Sequence, residues 1–578
     1  MSAPTETPDR SAVPELDGVT LEVIRNNLLS ITEQMRRTLI RAAFNPGIYE
    51  VLDFGLSMYD KDVRLIAEAA GVATFLGSND IGIKHGLDHV GVENLDPGDV
   101  LLLNYPYWSS AHSYDALLFA PVHLDGEIIG YLAERAHWRD LGAKDAGYVL
   151  DSTDMHQEGL IFPGTKIVKK GVPDKDIYDL IRFNSRMPDI VFGDLGAMLS
   201  SIEVGARRMQ ELHQKFGSPL IGAAVERIIE HGERRTRRAL AALPKGTWHA
   251  TDAIDDDGIG EDPVHMQVAV TITDDEFIVD FTGSAGQQRG PVNMPFGSTV
   301  SLAKLIFKAL TTPNDTANAG HFTPLRVIAP EGSLFHAVYP APTFTLWTGH
   351  IALDMVKTAV AQAIPELGAS TAGDEPGFMG VVEGDGGKGI FVISSLEPIG
   401  WGANNKHDGA SAQQCMNVNV GRNTPIEVLE QKAGMLHHRV QLRTDSGGAG
   451  RYRGGVGVLR EISYTRPGEI LSMKKKTLGT AHGLAGGGSA EPSGMIIHPE
   501  TDRAKALRMR RAPLQPGESF VTFTGGGGGY GDPLERPAAE VLDDVLDGFV
   551  SVEKAWETYG VRITDGAVAG VDTSRRPS

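Results

Sequence analysis

Cysteine is almost missing: Cys415 is the only one in 578 residues. A lone thiol closes no intramolecular disulfide, builds no Cys-based zinc finger and holds no iron–sulfur cluster, which excludes a disulfide-stapled secreted scaffold. Cys415 itself reads as a small buried hydrophobe, since no activating partner can be named for it. Positive charge is also short, with 54 Lys and Arg against 74 Asp and Glu for a net charge of −20. That field repels a polyanion and excludes tracking along nucleic acid phosphates. No window approaches eighteen uninterrupted apolar residues, so no membrane span is expected. The opening MSAPTETPDRSAVPELDG has acids and prolines where a secretory leader has a basic stretch and an apolar run, and a soluble, cytoplasmic protein is expected. Common nucleotide-binding and catalytic signatures are missing too. There is no GxxxxGK[ST] loop, no HExxH and no GxSxG elbow. Gly526, Gly528 and Gly531 satisfy GxGxxG, but they follow no clear strand and precede a proline instead of a helix.

Glycine, by contrast, is abundant: 69 of 578 residues, with no collagen period. The runs DSGGAGRYRGGVG (445–457) and GGGGGYGD (525–532) are expected as loops with positive φ or close backbone packing. Leu21, Ile24, Leu28, Ile31, Met35 and Leu39 recur at steps of three or four and predict an amphipathic helix. From Phe54 to Leu132, short apolar runs such as VLLLNYP and EIIGYLAE suit buried strands. Two long helices follow. One carries Leu195, Met198, Ile202, Met209, Leu212 and Phe216 on a stripe. The other carries Ala224, Ile228 and Ile229 and is expected to finish in Arg234-Arg235-Thr236-Arg237-Arg238, a solvated last turn complementing the helix dipole, with partner contact as second reading. Past Leu243-Pro244-Lys245-Gly246 the pattern turns to β, with a hairpin of Val268, Val270 and Ile272 against Phe277, Val279 and Phe281. The expected fold class is α+β: a mixed N-terminal region with long helices, then a β-rich, glycine-rich region. Expected boundaries are a flexible arm 1–17, an α/β domain 18–245 carrying the candidate site, a β-rich domain 246–520, and a C-terminal glycine-rich loop and helix 521–578.

Clustered His and carboxylate in the strand-rich part mark where chemistry could reside. His112 and Asp115 reach one ion if the backbone between them turns, and His137 ends a predicted strand, EIIGYLAERAH, that could bring a second imidazole beside them. Spacing alone is weak, because eighteen histidines in an acidic chain give several His-x-x-Asp pairs by chance. On spacing alone, exposed or core-satisfied histidines are the more economical reading.

A set of ordered motifs changes that balance: VTLEVIRNNL, DFGLSMYD, LNYPY…AHSYD, AERAHWRDLGA, HQEGLIFPGTK, VDFTGSAGQQRGPVN, APEGSLFHAVYPAP, DSGGAGRYRGGVG, GGGGGYGDP and AWETYGV. Through them the chain resembles the hydantoinase B / 5-oxoprolinase family, the hydrolase-type subunits of ATP-dependent cyclic amide hydrolases, with the related acetone and acetophenone carboxylases. The resemblance implies one divalent metal, zinc ahead of manganese, held by Asp53, His112, Asp115 and His137. It also implies a separate hydantoinase A-like subunit that binds ATP-Mg and phosphorylates a lactam, hydantoin or oxoproline, so that this chain works in a hetero-oligomer. Asp140 and Glu158 are candidate general-base or supporting carboxylates. A ketone carboxylase subunit is the alternative. Two segments depart from the family's commonest wording: Ser109-Ser110-Ala111 where many members carry two glycines, and His137-Trp138-Arg139-Asp140-Leu141-Gly142-Ala143 where many carry His-His-Ala-Asp-Ile-Gly-Gly. Both suggest an altered pocket.

Overall fold

The computed structural model describes residues 16–368, 377–384, 387, 389–572 and 574–575, so the expected arm lies outside the described residues apart from Leu16 and Asp17. Asp17 caps the first helix, Gly18–Ala42, by accepting the Thr20 amide at 2.8 Å. On its stripe Ile24, Leu28, Ile31, Met35 and Leu39 are buried, and Leu21 packs at the margin.

Seven antiparallel strands form the sheet that organises the N-terminal part: β1 Phe54–Tyr59, β2 Leu65–Glu68, β3 Val100–Leu103, β4 Asp115–Leu124, β5 Glu127–His137, β6 Pro163–Lys169 and β7 Val172–Pro173. Their order is β2-β1-β5-β4-β3-β6-β7. Side chains alternate between two cores. On β4, Ala116, Leu118 and Ala120 join the core beneath helices Gly18–Ala42 and Pro188–Phe216, while Leu117 and Phe119 face Ile83 and Leu87 of helix Asn79–Val90. Burial on both faces explains why these strands read as unbroken apolar runs; each fully buried Leu or Phe contributes about 1.5–3 kcal/mol.

Helix Ser218–Ala242 corrects one expectation. Arg234–Arg238 is not its last turn: Ala239, Leu240, Ala241 and Ala242 continue the helix, Leu240 is buried, and the break comes only at Leu243-Pro244. A second sheet follows, β8 Gly246–Ile254, β9 Val264–Ile272, β10 Phe277–Asp280 and β11 Leu325–Ile328, in the order β11-β10-β9-β8. The expected hairpin is β9–β10, with Val270 opposite Val279. Helix Thr348–Ala361 packs on this sheet, and one apolar core takes residues from Ile24 to Met509. Two further sheets, of four and five strands, enclose a second core that includes Phe378, Ile462, Tyr464, Ile470 and Phe520.

The glycine runs behave in one of the two expected ways. Within 445–457 and 525–532, Gly531 alone among the glycines has a positive φ, at +74°. Close packing is the reason for the rest. A β-carbon on Gly454 would lie 1.8 Å from the Gly527 carbonyl oxygen. Gly527 N–H donates to Gly455 O at 2.9 Å, Gly448 N–H to Gly527 O at 2.9 Å, and Gly529 N–H to Gly488 O at 3.0 Å. Bare backbones from distant parts of the chain are thereby stitched side by side. Among the described residues, no helix is long and apolar enough to cross a membrane.

Candidate metal centre

Strand register gathers the predicted ligands. Asp115 opens β4 directly opposite His137, the last residue of β5, and Phe54, the first residue of β1, pairs with Ala136. His137 N–H donates to the Asp53 carbonyl at 3.2 Å, so three neighbouring strands end together. The backbone between His112 and Asp115 does turn, with Asp115 N–H donating to His112 O at 3.0 Å. Two residues in left-handed conformation set up these approaches, Leu52 (φ 66°) before Asp53 and Ser110 (φ 66°) before Ala111-His112. Such backbone strain collects at functional sites.

Asp115 is the hub. Its Oδ2 lies 3.3 Å from His112 Nε2 and its Oδ1 lies 3.0 Å from His137 Nδ1. Ligand atoms of the three residues all fall within 4.8 Å of one another and all three are buried. Asp53 stands outside that close set but lines the same cavity as His112 and Asp115. Burial is the largest influence on every member. It lowers His112 and His137 to about 4, so both rings are neutral, and it raises the carboxyls of Asp53 and Asp115. Asp115 therefore has, as its ion-pair partners among the described residues, two imidazoles that carry no charge. Two neutral nitrogens beside two carboxylates without a contacting cation is a donor set that fits zinc or manganese.

The cavity in front of this cluster has an apolar wall that includes Tyr148, Leu346 and Trp347, with Phe344 packed against His112 and Tyr148 off that wall. Phe344 stacks on His112 with centroids 5.0 Å apart, Tyr148 lies edge-on to both imidazoles at 5.5 and 5.2 Å, and Trp347 sits 4.8 Å behind Tyr148. Opposite, Asn417 Oδ1 accepts from the Thr74 amide at 3.1 Å, and Asn417 Nδ2 lies 3.0 Å from His350 Nε2.

Comparison with known proteins agrees over nearly the full chain. The Hydantoinase B/oxoprolinase family model matches residues 17–533. The chain belongs to that family. The B component of a putative D-/L-hydantoinase from Pseudomonas sp. (strain NS671) is 29% identical over 95% of this chain and 96% of its own length. The caprolactamase beta chain of Pseudomonas jessenii is 30% identical, over 95% of this chain and 97% of that one. The crystal structure of the ATP-dependent caprolactamase superposes with a TM-score of 0.88 over 97% and 99% of the two chains. A 5-oxoprolinase of Dictyostelium discoideum is 26% identical over 90% of this chain but only 41% of its own. Nucleotide-free acetone carboxylase, at 19% identity and a TM-score of 0.87, shares the fold.

Within this member of the hydantoinase B/oxoprolinase family, the two further carboxylates are not on the cavity wall. Asp140 is fully buried. Its Oδ1 accepts from Tyr114 Oη at 3.0 Å and Arg186 Nη1 at 2.7 Å, and its Oδ2 from the Arg186 amide. Glu158 is also fully buried and holds the amides of Thr343 (3.0 Å) and Phe344 (3.1 Å) and the Ser152 hydroxyl (2.7 Å). Burial raises it to about 7 against these donors. Through them it fixes the segment that carries Phe344 onto His112. The departures from the family's wording fall mostly elsewhere: Trp138 is buried in the main core, Arg139 donates to Asn45 Oδ1 at 2.6 Å, and of the altered residues only Ala111 lines the cavity. Ser110 occupies the left-handed position that a glycine takes at least cost.

Tyr148, Phe344, Trp347, His350 and Asn417 escaped the sequence reading. Phe344, Trp347 and His350 recur every third residue in one short stretch, a spacing that a local search could have picked up, whereas Tyr148 and Asn417 come from distant parts of the chain.

Proposed function

We propose that this chain is the hydrolytic subunit of an ATP-dependent cyclic amide hydrolase, acting on a lactam, hydantoin or 5-oxoproline-type ring that an ATP-binding partner subunit has phosphorylated. The observation that carries the reading is the clustering of His112, Asp115 and His137 at neighbouring strand ends, with Asp53, His112 and Asp115 facing one cavity, in a chain that matches a caprolactamase beta chain almost end to end. The 5-oxoprolinase relative supports the partner: this chain spans 41% of it, leaving room in that longer polypeptide for the function that a separate subunit supplies here. The expected setting is a cytoplasmic hetero-oligomer.

An unstrained amide is a poor electrophile, and phosphorylating its oxygen makes it a good one. Asp53, His112, Asp115 and His137 would hold the divalent ion, which when bound supplies Lewis acidity and a water whose pKa falls from about 15.7 toward about 7. The protein's own contributions are positional. Neutral His112 and His137 bring no charge of their own, and Tyr114 N–H donating to His112 Nδ1 at 3.2 Å orients that ring with Nε2 toward Asp115. Tyr148 and Trp347 on the cavity wall exclude bulk water from the reacting carbon, and Phe344 holds His112 and Tyr148 in place by packing on both. Glu158 positions Phe344 through its backbone amide, and Asp140 holds the hydroxyl of Tyr114, which packs on Phe344; a general-base role would need either carboxylate to reach the cavity.

Co-expression with the neighbouring ATP-binding subunit, followed by a screen of lactams, hydantoins and ketones for substrate-dependent ADP release with and without bicarbonate, tests the reading. Ring-opened product formed without bicarbonate, and only with both subunits present, is expected. Ketone consumption that requires bicarbonate would instead establish a carboxylase.

A further inference from the structure

Well away in sequence from the metal ligands, helices Gly18–Ala42 and Ser218–Ala242 and the segment 315–321 enclose a polar pocket. Arg227 and Arg234 lie seven residues apart on one helical face, Arg235 is beside them, and Arg25 reaches in from the other helix. Four guanidiniums meeting in one concavity reverse the sign of a chain with net charge −20. Two acids share the pocket, Glu22 at 3.5 Å from Arg25 and Asp315 at 2.8 Å from Arg235, and Glu230 just outside it lies 3.4 Å from Arg234, so four guanidiniums face three carboxylates and one positive charge is left over.

The pocket also contains an unmade hydrogen bond. His321 is 2% exposed, and its Nδ1 accepts the Asn318 amide at 3.2 Å, so the neutral ring carries its proton on Nε2. That Nε2–H has no hydrogen-bond partner. It faces Asp315 Oδ2 across 3.7 Å, and this oxygen, although paired in charge with Arg235 Nε, accepts no well-directed hydrogen bond. A buried donor and a buried acceptor are thus held too far apart to satisfy each other, and each has lost its water.

We propose that this pocket binds monohydrogen phosphate, whose P–O⁻ oxygens accept from the arginines and from His321 Nε2–H while its P–OH donates to Asp315 Oδ2. Arginine's planar fork suits the oxyanion, and the carboxylate supplies selectivity. Sulfate at neutral pH has the same shape and charge but no proton to give, so Asp315 repels it.

The test is calorimetric titration and thermal melting of the full chain at pH 7.5 with inorganic phosphate or sulfate, at ionic strength held constant with chloride. Phosphate should bind saturably and raise the melting temperature, with sulfate at least about tenfold weaker. Asp315→Asn should close that gap to within about threefold, and Arg234→Gln with Arg235→Gln should abolish phosphate binding. His112→Ala should retain it, separating this pocket from the metal cavity. Equal effects of phosphate, sulfate and chloride would overturn the proposal. So would undiminished binding in the double arginine variant, or loss of binding in His112→Ala. Should the arginine variant fail to fold, the Asp315→Asn selectivity alone decides. If phosphate does not bind and the arginine changes instead release the partner subunit, the patch is a protein-docking surface and the proposal falls.

Discussion

Replacing His112 by Ala separates a catalytic ion from a structural one. The ring is 3% exposed, stacked on Phe344 and 3.3 Å from Asp115. Its loss removes one metal ligand and leaves a cavity beside an existing pocket. By analogy with buried aromatic truncations the stability cost is at most about 3–5 kcal/mol, and on a large chain each kcal/mol moves the melting temperature by only a few degrees or less. At 25 °C the folded fraction therefore stays near one, and an ion with a purely structural task predicts nearly full activity. Removing even one charge-stabilising donor from a reaction site costs about 10²–10³ in turnover. Loss of the ion, which would supply both charge and nucleophile, should cost at least that much. Asp53→Asn and Asp115→Asn are near-isosteric companions that leave packing intact. Metal content, melting temperature, ADP and ring-opened product should be measured on one preparation of the co-expressed complex. The expected pattern is low metal, small thermal shift, continued substrate-dependent ADP formation and vanishing product. Full product formation by metal-depleted His112→Ala would refute the reasoning.

Glu158 gives a pH signature. Its folded pKa near 7 exceeds the ordinary 4.5, so the folded state binds the extra proton and stability falls as pH rises from about 4.5 through about 7, by about 3 kcal/mol. Denaturant unfolding of wild type and Glu158→Gln at pH 5 and pH 8 should show that share of the pH dependence only in wild type; identical dependences would contradict it. Lys474 and Glu397 form an ion pair at 2.8 Å with both side chains 0% exposed. Lys474→Met should cost about 3–5 kcal/mol by stranding the carboxylate, and Lys474→Met with Glu397→Leu should recover much of it. Recovery of nothing would locate the effect in packing. The isolated chain should give no heat with Mg-ATP in calorimetric titration, since no phosphate-cradling loop precedes a helix; micromolar binding would overturn this.

The fold and the ligands were legible in the sequence to different depths. Helical stripes such as Ile24–Leu39 and the β9–β10 alternation report local periodicity, which survives into the structure because each has one dominant buried face. β5 was expected to end at His137 and does. The pairing of Asp115 with His137, however, is a register between strands, and spacing alone could not supply it. Helix Ser218–Ala242 stops at Leu243-Pro244, where the sequence pattern turns to β, but the charge run Arg234–Arg238 is misleading as a last turn because Ala239–Ala242 beyond it still favour helix. The packing of Tyr148 on Phe344 and Trp347 is a long-range contact that no local pattern encodes.

The bare-backbone stitching of the glycine runs also bears on how the protein is made. Gly527 alone exchanges hydrogen bonds with Gly448 and Gly455, and the neighbouring glycines tie down Gly400, Ala403, Leu484 and Gly488. These partners leave the ribosome well before residue 525, at about 5–20 residues per second, and must wait with exposed amides and carbonyls until the last strand of the weave arrives. A chain truncated before residue 525 therefore leaves these amides and carbonyls without the partners they have in the full fold, so the seam closes only when the last glycine run is present.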